Sequence, residues 1–159
     1  IKMNIFALDI DPQVCATYHC DKHVVKMILE HAQMICTAHH LHPRSWKYDV
    51  PYKKAYENHP CAKWVRESVY NYEWLYNLSY YLNEEYKLRF NHDVNHKSWD
   101  VIKSLPVPDI PTGKFSEFAQ AMPDDCKDFN GIIAYRDYYN EHKEHLHKWT
   151  KRERPTWIR

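Results

Sequence analysis

Glycine is almost absent from this chain, and that scarcity limits the folds open to it. Only Gly113 and Gly131 occur among the 159 residues. Because glycine permits left-handed turns and close backbone approach to phosphates, a glycine-rich phosphate loop is excluded. A fold built from many tight β-hairpins is disfavoured for the same reason. The 13 Tyr, 6 Trp and 5 Phe argue against disorder.

Long stretches without glycine predict an all-α fold. Apolar residues recur at helical spacing in three long segments, and shorter helical pieces and long connectors lie between them. We expect residues 1–159 to form a single compact helical domain that ends in a basic segment. The predicted long helices cover 12–39, 60–90 and 128–151, with short helices capped by Ser98 and within 115–121, an extended segment at 3–11 and a proline-rich connector at 106–114.

The net charge is +1 with neutral histidines, which is not the clearly basic balance of a typical nucleic-acid-binding domain. The charge is nevertheless uneven along the chain. Residues 143–159 hold six Lys or Arg and two Glu, a local charge of +4, which leaves −3 for the remainder. Any contact with DNA phosphates is therefore expected to be local.

Five cysteines, an odd number without a CxxC pair, argue against a disulfide framework and favour a reducing compartment. No apolar run approaches the roughly 20 residues of a membrane span, and no secretory signal is recognisable. We therefore expect a cytoplasmic protein without a membrane partner, acting as a monomer. The sequence leaves Ile1, Met3 and Asn4 open as the natural first residue.

The densest polar cluster is His19-Cys20-Asp21-Lys22-His23, followed by Lys26 and Glu30. On one helix, His19, His23, Lys26 and Glu30 lie at successive steps of three or four residues and share a face. Apolar positions border this face, so a carboxylate there can have a raised pKa and take part in proton transfer. A lysine there can become a nucleophilic amine. The alternative is a solvated charged face.

Histidine spacing leaves a metal site open as a further alternative. His19 and His23 have the spacing of two ligands on one helix, but no Glu follows His19, so the HExxH motif is absent. Histidines also cluster within 39–42 and 142–147. A His-rich solvated surface explains these clusters equally well, and we expect neither a metal nor a cofactor.

Candidate contacts to the phosphates of DNA lie at the start of the second predicted helix and in the basic tail. A helix N-terminus can face an anion, and a basic tail with interleaved Trp can bind phosphates and stack on bases. The alternatives are a plain helix cap and a tail that aids solubility. The candidates are His59, Arg66, Arg152, Arg154 and Trp157.

Several of these residues resemble the endonuclease V-like family of phage pyrimidine-dimer DNA glycosylases and AP lyases. Asp21-Lys22-His23-Val24-Val25, with Glu30 nine residues after Asp21, resembles the first helix of that family. That helix carries Asp-x-His, two apolar residues and then a catalytic Glu nine residues after the Asp. The chain also resembles an uncharacterised group of phage proteins that begin MNIFxLD and contain HCDKHVVKM.

Two later stretches are also similar to the family. One stretch keeps the order and spacing of a Phe-Leu, Leu, Glu and Arg motif on the family's second helix, here Trp74-Leu75, Leu82, Glu85 and Arg89. The other, Arg154-Pro155-Thr156-Trp157, looks like the family's C-terminal Arg-Pro-Thr-Trp. The resemblance therefore extends over most of the chain.

The resemblance implies an all-α enzyme that acts on damaged or modified duplex DNA without a cofactor. An α-amine would attack the sugar C1′ and form a Schiff base, and Glu30 would assist glycosidic cleavage and the later β-elimination. His23 would be the neighbouring active-site histidine. The nucleophile would be the amine of Met3, or of Asn4 if Met3 were removed. An α-amine suits this role because its pKa near 8 leaves a neutral fraction at pH 7.

The chain departs from the family on both sides of the catalytic Glu. The family has Arg immediately before this Glu and three residues after it, and these positions are Leu29 and Gln33 here. Lys22, Lys26 and His19 are therefore the candidate phosphate contacts, and either lysine could supply the Schiff-base amine instead.

Two other functions stay open from the sequence. One is an enzyme that acts on another nucleotide or modified base through His19, His23 and Glu30. The other is a non-catalytic phage factor that binds a host protein through an aromatic surface.

Overall fold

Six α-helices and two short 3₁₀ turns form the regular structure of residues 3–159, the part of the chain that the computed structural model describes. No strand occurs in this part, so the predicted all-α fold is confirmed. The helices are α1 (Pro12–Tyr18), α2 (Asp21–Leu41), α3 (Pro60–Val65), α4 (Val69–Phe90), α5 (Lys97–Lys103) and α6 (Gly131–His142), and the 3₁₀ turns are Asp124–Cys126 and Glu144–Leu146.

The long helices α2 and α4 pack against each other, with α1 against α4 and with α3 and α5 against α2. The segment 3–8 is buried within the helical layers, and Ala7 and Leu8 have no exposed surface. One cluster of buried apolar side chains links this segment to α1–α6. The N-terminal segment therefore belongs to the core and is held in a fixed place beside α2.

The predicted helix over residues 12–39 is wrong in one respect, because it is interrupted at His19 and Cys20. Both residues have an extended backbone, with ψ of 132° and 160°. The buried guanidinium of Arg89, on α4, donates hydrogen bonds to the carbonyl oxygens of Thr17 (3.0 Å) and His19 (2.6 Å). A partner 70 residues away thus satisfies the backbone groups that the break exposes.

The predicted helix over residues 60–90 is also two helices, α3 and α4. Ser68 has an extended backbone and caps α4, since its hydroxyl accepts a hydrogen bond from the Asn71 N–H at 3.1 Å. The Val69 N–H donates to the Pro111 oxygen at 2.9 Å. The proline-rich connector therefore fills the gap between the two helices.

The third predicted long helix, over residues 128–151, ends much earlier than expected. Asn130 caps α6 through its side chain, and α6 stops at His142. The chain then folds back onto the body of the protein, where the Trp149 Nε1–H donates to the Tyr18 oxygen at 2.8 Å. This early end carries residues after 142 back toward α2.

The shorter elements differ in detail from the prediction. The residue that caps α5 is His96, whose ring accepts from the Ser98 N–H at 3.0 Å, and Ser98 lies inside the helix. Residues 115–121 are not helical, and the Trp64 Nε1–H donates to the Ser116 oxygen at 3.2 Å to hold this segment. All five cysteines are buried free thiols. No helix in residues 3–159 has the length and apolar character needed to cross a membrane.

Candidate active site

A pocket of about 260 Å³ lies between the N-terminal segment, α2 and the end of α6. The helical spacing of α2 turns His23, Met27 and Glu30 toward it, as expected for residues three or four apart. All four predicted catalytic residues line this pocket, together with Lys26, a predicted phosphate contact. The lining residues are Met3, Asn4, Phe6, His23, Lys26, Met27, Glu30, Tyr138 and Lys143.

Glu30 is the buried carboxylate of the pocket, with 5% of its surface exposed. Its Oε1 accepts a hydrogen bond from the Asn4 backbone N–H at 2.9 Å, and its Oε2 lies 3.6 Å from the Lys26 Nζ. Burial raises the pKa of this carboxyl, while the charge of Lys26 and the Asn4 hydrogen bond oppose that rise. A carboxyl with a raised pKa beside an open pocket is suited to both accepting and donating a proton.

Asn4 fixes the N-terminal segment against Glu30. Its Nδ2–H donates to the Ala121 oxygen at 2.7 Å, and its Oδ1 accepts from the Tyr135 hydroxyl at 2.7 Å. The connector before α6 and α6 itself therefore both hold this side chain. Because these bonds fix the Asn4 backbone, the distance from its nitrogen to Glu30 is set by the core.

His23 forms one wall of the pocket and is 3% exposed. Its ring stacks on Phe6 at a centroid distance of 4.3 Å, and its Nδ1 lies 2.7 Å from the Tyr139 hydroxyl. The pKa of His23 is lowered to about 2, mainly by burial and in smaller part by the nearby His19, Lys143 and Lys26. His23 is therefore neutral at physiological pH, so Glu30 is the better proton donor of the two.

Two lysines from different parts of the chain line the pocket. Lys26 comes from α2, and its side chain is 58% exposed. Lys143 follows the last residue of α6, and its Nζ lies 5.1 Å from the centre of the Tyr138 ring. Burial lowers the pKa of Lys143, and the charge of Lys26 lowers it further. In the sequence, Lys143 belongs only to the basic segment 143–159, and no local pattern links it to Glu30.

Asp21, the first residue of the family-like motif, has a structural role at the start of α2. Its carboxylate accepts hydrogen bonds from the Thr150 N–H (2.9 Å) and hydroxyl (2.6 Å) and from Arg89 (3.2 Å). Its backbone N–H donates to the Lys148 oxygen at 2.8 Å. Asp21 thereby attaches the segment that follows Lys143 to the helix that carries Glu30.

The structure corrects the placement of two predicted DNA contacts, His19 and His59. His19 precedes α2, is fully buried and has its Nδ1 2.8 Å from the Cys15 oxygen, so it does not share the face of Glu30. His59 is 7% exposed, and its Nδ1 accepts from the Cys61 N–H to cap α3. His19 has no exposed surface to offer a phosphate, and the Nδ1 of His59 is already used in the helix cap.

The other predicted DNA contacts differ in how freely they face solvent. Lys22 and Arg154 are exposed. Arg66 is half-buried and donates to the Glu57 oxygen at 2.7 Å, while Arg152 forms two hydrogen bonds with the buried Glu85. Trp157 is half-buried, with the Arg136 guanidinium 5.2 Å from its ring. Lys22, Lys26, Arg152 and Arg154 are thus the exposed cations of the predicted set, and two hydrogen bonds to Glu85 hold Arg152 in place.

Possible metal ligands within residues 3–159 come together at Asp125, Cys126 and His142, whose ligand atoms lie within 4.8 Å of one another. His142 belongs to one of the histidine clusters seen in the sequence, whereas the other two residues come from the first 3₁₀ turn. The His142 Nε2 lies 3.6 Å from the Asp125 carboxylate, so an ordinary charged pair also accounts for their proximity. This group lies outside the lining of the Glu30 pocket.

A helical domain with a buried carboxylate and two amines in one pocket has the chemical groups that Schiff-base-forming enzymes need. A family model described as pyrimidine dimer DNA glycosylase matches residues 3–98, and the chain belongs to this family. The matched region contains His23 and Glu30 and ends before Lys143. No curated protein and no solved structure matches the chain.

Proposed function

We propose that this protein is a DNA N-glycosylase with AP lyase activity that acts on damaged or modified pyrimidines in duplex DNA. Family membership supports a glycosylase of the pyrimidine dimer type. The observation that carries the finer assignment is the position of Glu30, which is buried in a pocket with two amine side chains and bonded to the N-terminal segment.

The first step requires a nucleotide that has been opened out of the helix, since the base stack hides C1′. A neutral amine at the pocket attacks C1′, and the glycosidic bond breaks with its electron pair leaving on the base. Glu30 is positioned to supply or relay the proton that the departing base and the opening sugar ring require. The α-amine of Met3, or of Asn4 after removal of Met3, would bring the nucleophile next to Glu30, because Asn4 N is already 2.9 Å from Oε1.

The second step cleaves the DNA strand from the resulting iminium. The C1′=N bond acidifies the C2′ proton, and the Glu30 carboxylate accepts that proton. The 3′ phosphate leaves with its electron pair as the C2′–C3′ double bond forms, and water then releases the amine. Each step is a proton or group transfer, so the reaction needs no oxidant or reductant.

DNA contacts in this proposal are few and close to the pocket. Lys26 lies next to Glu30, Lys22 is exposed at the start of α2, and Arg154 is exposed in the tail. Other tail cations already have acidic partners, as Arg152 has the buried Glu85 and Arg159 has Glu141 at the surface. Affinity that rests on so few phosphate contacts is expected to be modest and to fall with added salt.

Borohydride trapping tests this proposal on an abasic-site duplex. Wild-type protein should give a covalent protein–DNA adduct, because borohydride reduces the iminium to a stable amine. Glu30→Gln keeps an oxygen for the Asn4 N–H but cannot transfer a proton, so the rate of strand cleavage should fall on the order of 10²–10⁴-fold. Glu73→Gln makes the same change on an exposed position of α4 and should leave the rate unaltered. A wild-type protein that forms no adduct, or a Glu30→Gln variant that cleaves at the wild-type rate, would refute the proposal.

A further inference from the structure

Three metal-ligating side chains meet where the first 3₁₀ turn packs against the end of α6. The turn supplies Asp125 and Cys126, and His142 is the last residue of α6. One ligand atom from each residue lies within 4.8 Å of the other two. Sequence spacing pointed only to clusters of histidines and did not link His142 to a cysteine. The fold therefore assembles a mixed ligand set from two separate segments.

The donor chemistry of this group suits Zn²⁺, which binds thiolate sulfur, imidazole nitrogen and carboxylate oxygen in a tetrahedral arrangement. The His142 Nε2 lies 3.6 Å from an Asp125 carboxylate oxygen. Two tetrahedral ligands with metal bonds of about 2.1 Å are roughly 3.4 Å apart, so this pair already has nearly the required separation. A charged pair explains why His142 approaches Asp125, but it does not require a thiol at the same point. Magnesium and calcium, which take oxygen ligands, fit the set less well.

The local charge also favours a cation at the Cys126 sulfur. The pKa of this thiol is raised, mainly by burial and in smaller part by the carboxylates of Asp125, Asp137 and Glu141. The negative potential that opposes a bare thiolate attracts a metal ion, and a coordinated thiol loses its proton outright. Metal binding at Cys126 therefore releases the thiol proton to the solvent.

The neighbouring cations leave this group open to an ion. Lys127 lies 3.0 Å from the Asp124 carboxylate, and Arg159 lies 3.1 Å from that of Glu141, so each has an acidic partner outside the ligand set. The carboxylate and imidazole ligands are exposed, whereas the thiol is buried behind the surface. An ion can therefore bind first to the exposed ligands and then to the sulfur.

We propose that Asp125, Cys126 and His142 form a binding site for Zn²⁺, with water as the fourth ligand. The ion fastens the 3₁₀ turn to the end of α6, so its role is to stabilise the fold. The three ligands lie outside the lining of the Glu30 pocket, and the site does not depend on the glycosylase and lyase reaction proposed above.

Co²⁺ is the probe for this site, because it replaces Zn²⁺ and its absorption reports the ligands. Titration of the full chain, with its thiols kept reduced, should show one Co²⁺ bound per chain. The complex should have a thiolate-to-metal charge-transfer band in the near ultraviolet and the strong visible bands of a four-coordinate ion. Zn²⁺ should remove both sets of bands by displacing Co²⁺. It should also raise the melting temperature of the wild type, since the ligands converge only in the folded protein.

His142→Gln and His145→Gln form a matched pair of exposed substitutions. His142→Gln removes a ligand and should weaken Zn²⁺ binding by more than about 10-fold, because even the partners of metal ligands contribute about 10–100-fold to affinity. His145 lies outside the ligand set, so His145→Gln should bind Zn²⁺ as the wild type does. Cys126→Ser should lose the charge-transfer band.

Absence of Zn²⁺ binding to the wild type, Co²⁺ binding without the thiolate band, or equal affinity in His142→Gln would each overturn the proposal. The exposed position of His142 keeps the test decisive if Cys126→Ser fails to fold. Borohydride trapping is measured without added metal, so these outcomes are separate from those that test the lyase function.

Discussion

Acid should unfold this protein, because its fold buries histidines in their neutral form. His19, His23 and His39 have less than 5% of their surface exposed. Burial lowers the pKa of His19 and of His39 to about 4, and that of His23 to about 2. Protonating any of them inside the fold would leave a charge among apolar or hydrogen-bonded neighbours.

The sign of the effect follows from which state binds more protons. An unfolded histidine titrates near pH 6.5, so below that pH the unfolded chain takes up protons that the folded protein does not. Stability is therefore full above pH 6.5 and is lost as the pH falls toward the folded pKa. Over the 1.5 units from pH 6.5 to pH 5, each histidine costs about 2 kcal/mol. Three such residues together cost about 6 kcal/mol, a large part of the 5–15 kcal/mol typical of a domain.

Urea unfolding at about pH 7.5 and pH 5 measures this loss, and His19→Gln isolates one contribution. The variant lacks the ionisable ring, so its stability should fall between the two pH values by about 2 kcal/mol less than that of the wild type. Any pH-independent effect of the substitution on the unfolding free energy cancels, because only the change between the two pH values is compared. Equal pH dependence in the two proteins, or a wild type equally stable at both pH values, would refute the reasoning.

Three substitutions test other parts of the structure. Arg89→Met removes the guanidinium that pairs with Glu85 and bonds to the helix break, so unfolding free energy should fall by about 3–5 kcal/mol in urea titration. Gly131→Ala would place a Cβ 3.1 Å from the Phe118 Cβ and 2.7 Å from the Glu117 oxygen that accepts the Gly131 N–H, and we expect a loss of about 1–3 kcal/mol by the same assay. Asn4→Ala removes the side-chain hydrogen bonds to Ala121, Tyr135 and the Ile5 N–H, so stability should fall by about 1–3 kcal/mol. Borohydride trapping should slow because the backbone N–H that Glu30 accepts from is no longer held in place.

These substitutions share one control and have separate refuting outcomes. Lys103→Met, on the exposed side of α5, should change the unfolding free energy by less than about 0.5 kcal/mol. Arg89→Met with wild-type stability would mean that the helix break does not depend on that guanidinium. Asn4→Ala that traps at the wild-type rate would mean that the N-terminal segment does not position Glu30.

Local periodicity accounts for what the sequence predicted correctly. His23 and Glu30 share a pocket because a helix places residues three, four and seven apart on one face, and this depends only on nearby residues. The all-α fold followed from the same periodicity and from the scarcity of glycine.

Tertiary partners account for what the sequence could not predict. Arg89, which lies 70 residues later in the sequence, bonds to the helix break at His19. Local spacing contains no sign of this partner and therefore predicts one continuous helix. Lys143 reaches the pocket because α6 ends at His142 and Thr150 bonds to Asp21.

Strand incision at a single pyrimidine dimer is the measurement that tests the central claim most directly. The substrate is a duplex with one cyclobutane thymine dimer at a known position, with the undamaged duplex of the same sequence as the reference. Wild-type protein should cut the damaged strand at the dimer and leave the undamaged duplex intact, and Glu30→Gln should cut neither. Failure of the wild type to cut at the dimer, or equal cutting by Glu30→Gln, would contradict the account.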